Sequence, residues 1–449
     1  MMRVSVCIPA RDHGRFIGEA ITSALAQDID GLEVIVADDA STDGTRAAVA
    51  AVADARVRYV RHAAALGVTR TRDRLAAAAR APVIAWLDAD DAYLPGMLAR
   101  QLAVLDEHPR VALVHGAYAV VDADGRRLPD WPAPFATDTI EPAAAALRNL
   151  LAGNEVATST VLVRRAHHAA GVTPRASSSD WALWLRAAVR GDVAYSATPA
   201  ARYRRHVATI SHATTPGGER LRCDVRVVRE LLRHEHLPDR RRAARCARAA
   251  LAAKALAHAG DLLTRGNTIA SGRAVALAAR LDGASLAALA PRMLACTARG
   301  DLYGCYRTNR LMLARLAEPL QGTRAGARLR ASAAADPAWE ATLARAAATL
   351  RRVVPAHACI GAVTKWDPTL LALSGRRGRN FPDRRGLPDG YPRDGAAAVA
   401  HLEAQRRDGL SHLAFPHASL WWLEHYPELA ARLGPPLHRD ADVAVYDLR

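Results

Sequence analysis

Short apolar runs that end on clustered carboxylates constrain this chain more than any other feature. Leu32-Glu33-Val34-Ile35-Val36-Ala37 stops on Asp38-Asp39, and Val83-Ile84-Ala85-Trp86-Leu87 stops on Asp88-Ala89-Asp90-Asp91. Runs of this length, rich in β-branched residues, read as buried strands. Val4 to Ile8, closed by Pro9, is an earlier strand, and Val57 to Val60 lies between the two acidic ones. Helical patterns fill the gaps at Phe16 to Ala26, Arg46 to Ala53 and Val68 to Ala79. The second of these is entered through the turn Ser41-Thr42-Asp43-Gly44-Thr45. Strands alternating with helices predict a doubly wound α/β sheet, on which ligands sit beyond the carboxyl ends of the strands. Both acidic clusters then fall on one sheet edge.

The rest of the chain changes texture twice. Its 449 residues are too many for one core and imply two or three domains. Val111 to Tyr118 and Ser159 to Val163 read as further strands, and Trp181 to Val189 as an amphipathic helix. In that helix Trp181 and Trp184 share a face, which predicts core packing. From Gly218 to Leu350 the sequence is Ala/Arg/Leu-rich with helical periodicity, and its Arg240-Arg241-Arg242 run reads as a solvated helix face. The last hundred residues give a strand at Cys359 to Val363, a loop from Ser374 to Asp394 and a helix at Gly395 to Arg407. A strand at Leu410 to Phe415, a helix at Ser419 to Leu433 and a strand at Val443 to Tyr446 follow. The expected division is 1–215 for the α/β domain, 216–350 for a helical module and 351–449 for a small α/β unit.

The net charge is +16. A basic excess points to phosphate-rich partners or anionic lipid. Yet Lys254 and Lys365 are the only lysines and alanine is abundant, as a GC-rich coding sequence produces whatever the function. Peripheral membrane contact is compatible with this surface; a nucleic-acid partner is not expected. The six cysteines form no CxxC pair, which fits reduced thiols. The opening Met1 to Pro9 is too short and too soon broken by proline for a signal peptide, and no run of about 18 apolar residues is uninterrupted. The expected location is the cytoplasm, free or against the inner membrane face.

Three carboxylates within Asp88 to Asp91 repel one another unless a cation or donor groups satisfy them. Mg²⁺ favours one or two carboxylates plus substrate phosphates. The alternative is an acidic turn that caps the next helix. Asp39, at the other strand end, is placed to accept hydrogen bonds from a base or ribose. The two ends together describe a cleft with a nucleotide side and a metal side.

With these segments in this order, the chain from Val4 to about Ser211 resembles the family 2 glycosyltransferases of GT-A fold. Val4 to Ala10 is similar to the family's opening strand and donor loop, with Arg11-Asp12 where the family usually has Tyr-Asn. Asp38 to Thr45 is similar to the base-reading turn, and Gly67 to Asp73 to a segment carrying a nucleotide-facing arginine, here Arg72. Asp88-Ala89-Asp90 matches the D-x-D motif. Ser179-Asp180-Trp181-Ala182-Leu183-Trp184-Leu185-Arg186 resembles the acidic helix that carries the family's base, which falls on Asp180. Tyr203 to Ser211 resembles a Tyr-Arg-x-His segment whose histidine, here His206, approaches the metal or diphosphate. The last hundred residues resemble a domain appended to some bacterial glycosyltransferases, through Leu413 to Pro416 and Leu420 to Pro427.

The resemblance implies a set of roles. Pro9, Ala10, Arg11, Asp39, Arg72 and Asp88 would hold the donor; Asp90 and His206 would hold Mn²⁺ or Mg²⁺; Asp180 would be the general base. The donor would be a UDP-, GDP- or dTDP-sugar, and the acceptor a saccharide, a lipid-linked sugar or a protein, in polysaccharide, cell-envelope or glycoconjugate synthesis. One base opposite the leaving group gives a single displacement and hence inversion. Two alternatives stand beside this. One is a nucleotidyltransferase on the same sheet. The other is a nucleotide-sugar-binding or scaffold protein whose catalytic domain has decayed.

Overall fold

The computed structural model describes residues 2–129, 133–168, 179–206, 219–264, 267–299, 302–333, 337–364, 369–382, 392 and 394–449. They fall into two units, Met1–Ala247 and Arg248–Arg449, and the helical stretch is shared between them.

In the first unit, β1 (Val4–Ala10), β2 (Leu32–Asp38), β3 (Val57–Arg61) and β4 (Val83–Trp86) run parallel in the order β3-β2-β1-β4. Helices α1 (Ile17–Leu25), α2 (Thr45–Ala50) and α3 (Val68–Ala78) make the crossovers. The expected strands and helices are therefore present, within a few residues of their expected ends. β2 and β4 are buried along their whole length, and β1 along nearly all of it, as a parallel sheet covered on both faces requires. Glu33 brings a charge into the middle of this core. It accepts from Ser5 Oγ (2.7 Å), Arg80 N (2.8 Å) and Arg58 Nη1 (2.9 Å), so the buried charge is paired and hydrogen-bonded.

Beyond β4 the sheet continues with strands of mixed direction. They are β5 (Ala92–Tyr93), β6 (Val111–Val121), β7 (Thr139–Glu141), β8 (Leu162–Arg164) and β9 (Asp192–Arg204), in the order β4-β8-β6-β9-β5 with β7 also on β9. Helices α4 (Met97–Glu107), α5 (Ala143–Ala152) and α6 (Ser179–Arg190) cover this half. Strand β9 was not expected, because Pro199 sits in its interior. The structure accommodates the proline at a register shift between Gly116 and Tyr118 of β6, the kind of irregularity where proline is tolerated. Trp181 and Trp184 are buried, as their spacing implied, and Trp181 Nε1 donates to Leu150 O at 2.8 Å.

In the second unit every described residue from Thr268 to Val353 outside the connecting turns is helical. A five-stranded sheet follows, in the order β11-β10-β12-β14-β13: β10 (Cys359–Ala362), β11 (Arg377–Asn380), β12 (His412–Pro416), β13 (His438–Arg439) and β14 (Val443–Asp447). Its two faces are packed separately. Phe415, Trp422, Tyr426 and Tyr446 lie on one, and Leu350, Ile360, Leu371 and Val445 on the other. Two expectations are corrected here. The expected loop from Ser374 contains β11, an edge strand with no apolar alternation to announce it; residues 383–391 and 393 of that loop lie outside the described residues. Gly378 permits the strand, since a Cβ there would meet Ile360 O at 2.6 Å and Leu371 Cδ2 at 2.5 Å. The expected single helix from Ser419 to Leu433 is broken into Trp422–His425 and Pro427–Leu433, because Pro427 starts a helix and does not continue one. Trp421 stands 43% exposed beside its buried neighbour Trp422.

Candidate active site

The parallel register aligns Ala10 with Asp38 and Cys7 with Trp86, so the residues that follow β1, β2 and β4 emerge on one edge. The loops after β1 and β2 are laced together. Asp12 N donates to Ser41 Oγ (3.0 Å), Thr42 N to Asp12 Oδ1 (2.7 Å), His13 N to Thr45 Oγ1 (2.9 Å) and Gly14 N to Asp43 Oδ2 (2.8 Å). Gly14 allows this approach, because a Cβ would stand 2.8 Å from the backbone of Gly44 and Thr45. Asp12 and Ala40 both take positive φ, 56° and 60°, in this seam. Such strain in a residue with a Cβ persists only where the surroundings over-determine it.

The carboxylates after β2 are well supplied with donors. Asp38 accepts from Ser41 N (2.7 Å) and Tyr59 Oη, with Arg61 Nε at 3.6 Å. Asp39 accepts from Leu66 N (2.6 Å) and Gly67 N (2.8 Å), and its Oδ1 lies 3.1 Å from His62 Nδ1. Burial would raise both pKa values, but these donors outweigh it and hold both carboxyls below the usual range. A carboxylate offers about four acceptor directions, and these three partners use most of those of the buried Asp39.

The cluster after β4 is the opposite case. Asp88 has Arg72 Nη2 at 3.1 Å and its amide on Ser159 Oγ at 3.0 Å. Desolvation raises its pKa, Arg72 opposes, and the charges of Asp90 and Asp180 raise it further. Asp91 is buried, with Ser159 Oγ at 2.5 Å and Arg204 N at 2.7 Å as donors. Its pKa is also raised, by desolvation and then by Asp90 and Asp88. Asp91 is thus an internal anchor. Asp90 Oδ2 has His206 Nε2 at 3.0 Å and His13 Nε2 at 3.9 Å. These three donor atoms lie within 4.8 Å of one another.

The edge gathers Arg72, Asp88, Asp90, His206 and Asp180 of the expected residues. Asp180, in the first turn of α6, accepts from Asn154 Nδ2 at 3.3 Å. Pro9 and Ala10 end β1 beside them, and Ala10 O accepts from Asp39 N at 2.8 Å. Arg11 is not drawn in: it is 56% exposed and faces Asp12 at 3.8 Å. Val207 to Ser211 of the Tyr203 segment, and the Ser179 side chain, lie outside the described residues. Sequence reading did not single out His13, Asn154 or Ser159, and it took Arg204 only as part of the Tyr-Arg-x-His segment, with no role. Nothing in their sequence surroundings marks a contact with the acidic ends, and each reaches the edge only through folding. Arg204 ties it together, donating from Nε to Asp90 O (2.8 Å) and from Nη2 to Glu19 Oε2 (2.5 Å), with its guanidinium 5.0 Å from the Phe16 ring centroid.

Four parallel strands extended by strands of mixed direction, with carboxylates gathered beyond the carboxyl ends of the parallel strands, make a doubly wound α/β domain whose ligand edge is acidic. Residues 5–168 match the family model described as glycosyl transferase family 2, and that stretch is a domain of this family, with the GT-A sheet. Among curated proteins the chain is similar to the uncharacterized protein Rv1520 of Mycobacterium tuberculosis, 30% identical over 203 residues. That alignment covers 44% of this chain and 57% of that protein, so the chain spans little more than half the length of such relatives. It is also similar to the succinoglycan biosynthesis protein ExoO of Rhizobium meliloti, 38% identical over 125 residues, 28% of this chain and 36% of that one. The UDP-Glc:alpha-D-GlcNAc-diphosphoundecaprenol beta-1,3-glucosyltransferase WfgD of Escherichia coli is 28% identical over 119 residues, 26% of this chain and 47% of that one. Among solved structures, S. aureus TarS 1–349 in complex with UDP-GlcNAc aligns at 16% identity and TM-score 0.49, covering 69% of this chain and 90% of that chain.

Proposed function

We propose that this chain is an inverting, metal-dependent glycosyltransferase that moves a sugar from a nucleotide-sugar to an acceptor hydroxyl. The observation that carries the reading is the convergence of Arg72, Asp88, Asp90, His206 and Asp180 on one sheet edge of a family 2 domain. Asp90 and His206 fit a divalent cation: their donor atoms are adjacent, and the neighbouring Asp88 and Asp91 carboxyls are raised as a site short of positive charge would be. Mn²⁺ or Mg²⁺ held there would neutralise the departing diphosphate. Arg72 orients Asp88 toward the donor, and Asp39 accepts from the base or ribose. Asp180 takes the proton of the acceptor hydroxyl, with Asn154 holding its carboxylate. A single base opposite the leaving group gives inversion.

The name of the WfgD relative supports a UDP-type donor and a lipid-linked sugar acceptor, and that of ExoO supports polysaccharide synthesis. No described helix is long and apolar enough to cross a membrane. We place the protein in the cytoplasm, peripheral to the inner membrane face. Donor chemistry belongs to residues 1–215; the helical module 216–350 and the C-terminal unit 351–449 serve the acceptor, assembly or membrane contact.

Asp180→Asn tests the base. Asparagine suits a helix start about as well as aspartate, so the melting temperature and donor affinity should hold. Turnover should fall roughly a hundredfold or more, because the amide cannot take a proton. Near-normal turnover in the folded variant would remove Asp180 from the mechanism.

A further inference from the structure

We propose that His13 is a third protein ligand of the metal, so that this chain holds a transition-metal ion before the nucleotide arrives and prefers Mn²⁺ to Mg²⁺. The proposal rests on the metal reading of Asp90 above and adds a residue from the loop after β1.

The three donor atoms come from distant parts of the chain. His13 follows β1, Asp90 follows β4 and His206 follows β9. Their donor atoms fall within 4.8 Å, with Asp90 Oδ2 between the rings at 3.0 and 3.9 Å. Two ligands at about 2.1 Å from one ion stand about 3.0 Å apart when adjacent and about 4.2 Å when opposite. The Asp90–His206 spacing matches adjacent ligands and the Asp90–His13 spacing falls between the two values, so modest side-chain adjustments would let the three atoms close on one ion. The two rings are held for it. His206 lies against Phe16, centroids 5.0 Å apart, and meets His13 edge-on with centroids 6.5 Å apart. The His13 backbone is fixed by its bond to Thr45 Oγ1.

The chemistry of this donor set decides the metal. Two imidazoles and one carboxylate suit first-row transition ions, whereas Mg²⁺ favours oxygen ligands and keeps its waters. One carboxylate plus substrate phosphates binds metal only with the nucleotide. Three protein ligands bind it alone and leave positions open for the diphosphate.

The test uses the full chain without nucleotide. Mn²⁺ titration is followed by calorimetry, and pulsed electron paramagnetic resonance of the bound ion counts coordinated imidazole nitrogens. The expected result is one bound Mn²⁺ with couplings to two imidazoles, and Mg²⁺ binding at least roughly tenfold weaker. His13→Gln should leave one imidazole coupling and weaken Mn²⁺ at least roughly tenfold, the loss that even outer-sphere partners carry. A wild-type spectrum showing one imidazole overturns the proposal without any variant. So does unchanged Mn²⁺ affinity in His13→Gln when Asp90→Ala abolishes binding, and in that case the Asp90 reading stands. Mn²⁺ binding insensitive to Asp90→Ala defeats both readings.

Discussion

The two acidic strand ends of the first sheet are made of the same residue type in the same position, yet their electrostatics are opposite. After β2, Asp38 and Asp39 are met by amides, a phenol, an imidazole and an arginine, and their carboxyls are held low. After β4, desolvation raises both Asp88 and Asp91; Asp90 and Asp180 raise Asp88 further against Arg72, and Asp90 and Asp88 raise Asp91 further. Neighbouring Asp residues in sequence say nothing of this; the donors that fold in around them decide it. The first end is well supplied with donors from within the domain. At the second, Asp88 and Asp91 stand raised beside Asp90, and a cation held there, as the proposed function has it, would offset that excess of negative charge.

The largest effect that tests this contrast is at Asp90. Asp90→Ala should abolish sugar transfer and the response of nucleotide binding to Mn²⁺, and a chelator should do the same to the wild-type chain. A fully active variant would make the β4 end an ordinary acidic turn.

A smaller effect is expected at the β2 end, and it should appear as stability. Asp39→Ala leaves Leu66 N and Gly67 N without their acceptor, at a cost of about 1–3 kcal/mol for each that stays buried and unpaired. The pH dependence follows from the sign of the shift. A carboxyl held low in the folded state stabilises above its unfolded pKa of about 3.9, and that contribution is lost as pH falls through the folded value. Urea titrations of the two proteins should therefore differ most at neutral pH and converge in acid. A constant difference down to pH 2 would show that Asp39 contributes through packing alone.

How legible this site was depends on where each part comes from. The strand ends Asp38-Asp39 and Asp88 to Asp91 could be read directly, because continuous apolar runs define where parallel strands stop. Asp180 and His206 could be read only through resemblance, since a helix start and a lone histidine have ordinary structural uses. His13 was hidden because its partners arrive from β4 and β9, and β9 itself was obscured by Pro199. In the second unit, β11 was missed for a related reason: an Arg-Gly-Arg-Asn edge strand is defined by its neighbours β10 and Leu371, not by its own pattern.

The central claim, that the β4 end needs a cation in order to hold a nucleotide-sugar, is tested most directly by a thermal-shift panel. UDP-, GDP- and dTDP-sugars would be added to the full chain with Mn²⁺ and with a chelator. Ligand at about a hundred times its dissociation constant stabilises by about 2.7 kcal/mol, a shift of several degrees that is easily resolved. One class of nucleotide-sugar should raise the melting temperature with Mn²⁺ and fail to do so with the chelator. Equal stabilisation in both conditions, or none by any nucleotide-sugar with Mn²⁺ present, would contradict the claim.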